Sequence, residues 1–341
     1  MTTFKKSLLA ATAFTLMTGA VFAQGNVANT TQTGDRNNIT ITQRGFGSEG
    51  QTARSNVEGD HNTVEIRQGR TSAQAGTNNF AKLQIDSLGG ASSDHNTITI
   101  LQDVSGVENS KAVLSIVGDW NEVDTNQKFG RHELSVTIGT SSAESDYNDV
   151  DIVQNERRND SKVTVDGAHN VANVAQESDD NTVRLEIDGS NNDVAIRQDG
   201  QNGSNTGDNR ALAYIVGNHN EGTINQVGEL NSVKLEIGAA SVSSYNEFDF
   251  DQVDDGNSIV ANIDGQQNDA IIYQNGLGNY ASLFQDGSYN LADISQIGDL
   301  NDAMVSQTGH WNEAYVSQTG NSNTANVTQD GYGNIANVTQ D

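Results

Sequence analysis

Catalysis or metal binding in this chain would have to use carboxylate, imidazole, hydroxyl or amide groups, because its 341 residues include 45 Asp and Glu and six His but no Cys. Without Cys there is no thiolate nucleophile, no disulfide framework and no Cys-type metal site. Carboxylates that work as a general acid and base have to converge in a cleft, whereas the Asp and Glu here are scattered over out-facing and turn positions of a repeating pattern. All six His lie in or beside turns, and His61, His95, His169 and His219 each stand directly before an Asn. Separated turn imidazoles are explained as solvated turn residues, so no catalytic residue, metal site or cofactor is expected. The residues whose spacing does repeat are amides. Gln274, Gln285, Gln296, Gln307, Gln318, Gln329 and Gln340 are eleven apart, and each has an Asn six residues before it: Asn268, Asn279, Asn290, Asn301, Asn312, Asn323 and Asn334. A primary amide is both donor and acceptor, so the chemistry of identical amides held in register is to bond to one another in ladders.

Something must hold them in register. The unit around each pair is Asn-x-Φ-x-Φ-x-Gln-x-Gly-x-x, where Φ is apolar, and seventeen Gln-type units fit it, including those that begin at Asn26, Asn37, Asn62, Asn96, Asn148, Asn170, Asn192 and Asn246. Nine more units place Val or Ile where Gln would be, at Val57, Ile85, Ile116, Ile138, Val165, Ile187, Ile215, Ile237 and Ile263. Apolar and polar residues alternate within each unit, as in Asn181 to Ile187, which is the period of a strand with one buried face. The Gly-rich step that follows, such as Asp166-Gly167-Ala168-His169, supplies a tight turn. Longer connections at Gly69 to Asn78, Asp86 to His95 and Asp199 to Asp208 are expected to be loops inserted at corners. Along the chain every second strand ends in Gln, from Gln43 to Gln340, while the strands between them mostly end in Val or Ile. Two alternating columns require two strands per coil. The expected fold is all-β: a two-sheet β-solenoid of stacked strand-turn-strand coils, thirteen of them at ~4.8 Å each, roughly 60 Å long.

Composition agrees with that architecture. Not one Pro occurs, as expected where every strand interior must donate a backbone N–H to its neighbour. Only 34% of the residues are hydrophobic, enough for a narrow interface between two sheets. The formal net charge of -27 argues against nucleic acid or an anionic membrane surface as partner, since both require clustered Lys and Arg. Residues 1–23 read as a signal peptide: Lys5 and Lys6 precede a short apolar run from Leu8 to Val21, and Val21-Phe22-Ala23 offers small residues for cleavage. The run is too short to span a bilayer, so no membrane insertion is expected. Loss of the two lysines takes the charge from -27 to -29, and 24–341 form the solenoid.

Solenoids that remain monomeric cover their ends with atypical polar repeats. Here the N-terminal edge, Asn26 to Gln32 with Ala28 between, and the last unit, Asn334 to Gln340, are ordinary repeats without a charged residue, which points to head-to-tail self-assembly. The phrase Gln318-x-Gly320-x-x-Asn323-x-Ala325-x-Val327-x-Gln329 and its upstream copies resemble the curlin repeat of the bacterial curli fibre subunits. That resemblance implies an extracellular, cell-surface functional amyloid that contributes to biofilm matrix, adhesion and surface colonisation. It further implies a curli-type nucleator and an outer-membrane secretion pore as partners. The Asn and Gln of the last seven units would be the ladder residues that direct polymerisation. The chain departs from the family in its larger number of repeats, in having no distinct Gly-rich leader after Ala23, and in the Val and Ile units. The resemblance extends to both the major and the nucleating subunit. The alternative reading is a monomeric extracellular adhesin or ice-binding solenoid; for the latter, the Thr pairs Thr40/Thr42 and Thr97/Thr99 alternate with charge in neighbouring coils.

Overall fold

The computed structural model describes residues 25–44, 50–69, 78–86, 93–103, 109–139, 145–200, 206–238 and 243–341. The signal peptide expected at 1–23 and most of the three expected corner insertions (70–77, 87–92 and 201–205) lie outside them. The described chain is all strand and turn, arranged in two parallel sheets. One sheet runs from Val27–Thr33 to Thr324–Tyr332 and the other from Asn38–Gln43 to Ile335–Gln340, each strand bonded to the strands one coil before and one coil after it. A strand from each sheet makes a coil, and the second sheet counts thirteen strands, hence thirteen coils. The first sheet gains one short addition, Ser243–Ser244, which pairs with Arg210–Asn218 on one side and Ser258–Gln266 on the other, the two strands that flank Ser232–Ile237.

Register is kept by residue position rather than by a fixed number of residues. Val171 to Gln176 pair with Asp193 to Gln198, 22 residues on, while Thr63 to Gln68 pair with Thr97 to Gln102 across 34 residues without a slip. The number of residues between two strands therefore does not set their register. A one-residue slip would turn every in-facing side chain outward, and the alternation within each unit forbids it.

The in-facing set of each strand has four members, as in Asn170, Ala172, Val174 and Gln176, all nearly inaccessible. The two central positions of each strand form one continuous apolar layer along the rod, built mostly from Val, Ile, Leu and Ala. Each coil contributes about four such side chains, of which a fully buried Val, Leu or Ile is worth roughly 1.5–3 kcal/mol, so a chain with few apolar residues still closes a dry core. Where the pattern varies, neighbours compensate. Phe248 sits directly over Gly222, and a Cβ at Gly222 would come 2.5 Å from the Phe248 ring.

The corners are as tightly stacked as the strands. Gly167, Gly189 and Gly217 follow one another up one corner with positive φ, and a Cβ on Gly189 would lie 1.8 Å from the Gly217 carbonyl oxygen. Both the dihedral and the space demand glycine. Gly189→Ala should therefore lower the denaturation midpoint of the soluble chain by an amount equivalent to about 1–3 kcal/mol. An unchanged midpoint would show that the corner relaxes freely.

Candidate assembly surfaces

Strand alternation places the first and last residue of each unit inside the rod, so the recurrent Asn and Gln are buried and must find partners. In the second sheet they find each other. Gln43, Gln68 and Gln102 are linked by Nε2–H donating to Oε1 of the next coil at 2.9 and 2.8 Å. The series continues through Gln274, Gln296, Gln318 and Gln340 at 2.8 to 2.9 Å. The second amide hydrogen of each Gln goes across to the opposite sheet, for example from Gln176 to the Asp160 carbonyl at 3.1 Å and from Gln318 to the Asp302 carbonyl at 3.0 Å. One amide column thus zips the coils along the rod and also ties the two sheets together.

A second column runs through the Asn of the same sheet with opposite polarity. Asn62 Nδ2 donates back to Asn37 Oδ1 at 3.1 Å, and the pattern repeats from Asn268 to Asn334 at 2.9 to 3.1 Å. Each Oδ1 also receives the backbone N–H of the next Asn, as in Asn290 N–H to Asn268 Oδ1 at 3.1 Å. Gln side chains therefore donate toward the C-terminal end of the rod and Asn side chains toward the N-terminal end.

The first sheet carries these columns only in part. Gln285, Gln307 and Gln329 are joined at 3.0 and 2.9 Å. Gln285 follows Ile263 in the register, and its Oε1 is buried without a donor. Asn279 keeps a side-chain link to Asn257 at 3.0 Å. The Nδ2 groups of Asn301 and Asn323 turn instead to the Gly320 and Thr319 carbonyls, and these two residues stay in the column through backbone N–H donation to the preceding Oδ1, at 3.0 Å each. At the N-terminal edge Asn26 Oδ1 accepts from Gln51 N–H at 2.9 Å, while Ala28 and Gln32 face inward against Ala53 and Val57. The other open edge includes Asn37 and Gln43, members of the repeat that belong to the same exposed coil.

Three features escape sequence reading. The residue before each second-sheet Asn adopts φ near 60°, and where successive coils carry an aromatic residue there the rings stack. His61, His95, Trp120, Tyr147 and His169 form a continuous series with ring centroids 4.7, 4.1, 6.0 and 5.0 Å apart. Beside them Asp60, Asp94, Asp119 and Asp146 each accept the backbone N–H of the coil before, at 2.6 to 2.8 Å. The out-facing acids are not scattered either: coil registration gathers them into rows, in which Asp149, Asp151, Asp193, Asp251 and Asp269 have pKa values raised first by burial and then, for most, chiefly by neighbouring carboxylates. Among the described residues no group of three or more His, Asp or Glu is arranged to hold a metal ion.

His132 departs from the expectation of solvated turn imidazoles. It occupies the Asn place of the first sheet, 1% exposed, with Nε2 on the Lys128 carbonyl and Nδ1 buried without a partner. Gln51, Ser110 and His132 interrupt the Asn column of this sheet, and orphaned atoms gather there, among them Gln51 Oε1 and Asn79 Nδ2.

Residues 265–298 and 298–331 match the family model of the curlin associated repeat, two adjacent copies that take in the amide columns of the C-terminal coils. No curated protein matches the chain.

Burial holds the His132 pKa below its ordinary value of 6.5. The unfolded chain then binds a proton that the folded chain refuses, so His132 removes stability as pH falls through 6.5 toward the folded value. His132→Asn should extend the amide column by one coil from Asn159 and abolish that component. Its stability advantage, read from denaturation midpoints, should widen by up to about 1.4 kcal/mol per pH unit on acidification from 7.5 to 5.5. An advantage equal at both pH values would contradict the buried neutral imidazole.

Proposed function

We propose that the mature chain is the structural subunit of a secreted, curli-like amyloid fibre that grows end to end and serves the extracellular biofilm matrix in adhesion and surface colonisation. The observation that carries this reading is the complementarity of the two ends. At the C-terminal end Gln340 Nε2 uses one hydrogen on the Thr324 carbonyl at 3.0 Å; its equivalent in the previous coil, Gln318, gives the other to the next Gln. At the N-terminal end Gln43 donates to Gln68, Val27 and Gln51, leaving Oε1 as the acceptor a preceding Gln would use. The Asn column is matched in the reverse sense. Asn334 donates to Asn312 and presents Oδ1 outward, while Asn37, at the start of the column, has the N–H and Nδ2 that bond to such an oxygen in every other coil.

A second copy seated on the C-terminal end would continue both sheets in register, with Gln329 meeting Gln32 and Ala336 and Val338 meeting Ile39 and Ile41 of the next copy. Such contacts repeat without closing and give an open filament. An uncovered strand edge without charge or Pro is the usual template for strand addition, and the end strands have in-facing residues that are only half covered. The match to a structural repeat family supports the same reading, and an enzyme would need a convergent site.

The test compares two variants of the last strand in seeded elongation. Ala336→Lys with Val338→Asp puts two charges into the new interface, at several kcal/mol per ion. Asn337→Lys with Thr339→Asp puts the same charges on the outward face of the same strand. The first should slow elongation at least tenfold and the second should leave it near the parent rate. Equal rates for the first variant and the parent, or a parent that stays soluble in the presence of seeds, would overturn the proposal.

A further inference from the structure

The two outer faces of the rod differ in charge. Over the three outward rows of its strands, the second sheet carries thirteen carboxylates and two arginines, and the first sheet five carboxylates and seven Lys or Arg. The middle row of each face shows this most plainly. On the first sheet it presents Arg54, Lys82, Lys162, Arg184 and Lys234, in coils two, three, six, seven and nine. On the second sheet it presents Glu65, Asp124, Asp151, Asp249 and Asp293, in coils two, four, five, nine and eleven.

These two rows fit one another at one displacement. When the basic row is advanced by two coils, Arg54 faces Asp124, Lys82 faces Asp151, Arg184 faces Asp249 and Lys234 faces Asp293. Lys162 then faces Thr223, Leu212 faces Ile271 and Val260 faces Tyr315, while Val113 faces Asn173. Any other displacement of the two rows brings at most two basic residues onto acids. The intrachain partners of the basic row are exposed surface pairs, Arg184 with Glu186 at 2.6 Å and Lys234 with Glu236 at 2.9 Å; such pairs are weak in water and can be shared with a facing carboxylate. Packed sheets lie about 10 Å apart, a gap that a Lys or Arg and an Asp reaching from opposite sides can close.

We infer that a second copy of this chain docks side by side on the first, in parallel, with its first-sheet face on the second-sheet face and a stagger of two coils, about 10 Å along the rod. Each rod offers both faces, so the contact is heterologous and propagates sideways into ribbons or bundles. It also gives the acidic face a counter-charge that the chain as a whole, at -27, lacks. The contact is separate from end-to-end growth and applies to free rods as well as to fibres.

The experiment measures the width of assemblies by negative-stain microscopy at low salt and the mass of free rods by analytical ultracentrifugation, with far-ultraviolet circular dichroism to check that each variant keeps its strands. Lys82→Glu with Arg184→Glu should reduce bundles to single rods, and so should Asp151→Lys with Asp249→Lys. A chain carrying all four substitutions faces the same residues in swapped order and should bundle again. Bundles of the parent should separate at 1 M salt, where the screening length falls to about 3 Å. Bundles of unchanged width in both double variants, or a fourfold variant that remains single, would overturn the inference, as would bundles that form only with divalent cations and ignore the basic row. A failure of this contact leaves long single fibres, whereas a failure of end-to-end growth leaves rods no longer than one chain, and the two are distinguished in the same images.

Discussion

The structure depends on one requirement: a primary amide buried inside the rod must be bonded, and the group that bonds it is the same amide one coil away. An unmet buried donor or acceptor costs about 1–3 kcal/mol, and the Gln column from Gln43 to Gln340 places such a group in every coil. Coils are therefore locked in register regardless of how many residues separate them, as the 34-residue step from Gln68 to Gln102 shows. Turns must be narrow enough for coils to approach at strand spacing, which is why glycines stack at the corner through Gly189. Where the rule lapses, at Gln51, His132 and Gln285, the structure has orphaned polar atoms. The columns are polarised, so their open ends are complementary and the rod has a direction.

That same registration fixes what the outside of the rod displays. Any residue type that recurs at a given position becomes a row at the strand spacing, whether the residues are aromatic, as from His61 to His169, or acidic, as at Asp149 and Asp151. Acidic rows carry an electrostatic cost, visible in carboxylate pKa values raised by burial and, secondarily, for most by their neighbours. The cost is moderate because the rows face water and because Asn, Thr and Ala interrupt them. A repeat whose interior is nearly invariant thus leaves the exterior free to vary coil by coil, and in this chain the variation has divided the two faces by charge.

Much of this was legible in the sequence. The alternation within each unit gave the strands and their buried faces, and the alternation between Gln and Val or Ile endings gave the two columns and hence two strands per coil. The Gln and Asn of the second sheet are bonded in columns at the positions that the repeat spacing sets. Other parts were not legible, for physical reasons. Asn301 and Asn323 make only the bond to a turn carbonyl, whereas Asn279 Nδ2 bonds Asn257 Oδ1 and the Gly298 carbonyl together, and the repeat spacing of the three is the same. His132 stands beside a turn in the sequence, yet it fills an Asn place, since its ring can bond Nε2 to a carbonyl from inside the rod. The acids looked scattered because insertions of unequal length obscure which residues share a row, and only the pairing of strands reveals it.

The claim that the amide columns cross from one chain to the next can be measured directly by magic-angle-spinning NMR. Fibres grown from a mixture of chains labelled only with 15N and chains labelled only with 13C report contacts between different chains alone. The account predicts correlations from the Gln340 side-chain nitrogen to the Gln43 side-chain carbonyl carbon, and from the Asn37 nitrogens to the Asn334 side-chain carbonyl carbon. Fibres with no such correlations, or with correlations joining Gln340 to Gln340, would contradict it.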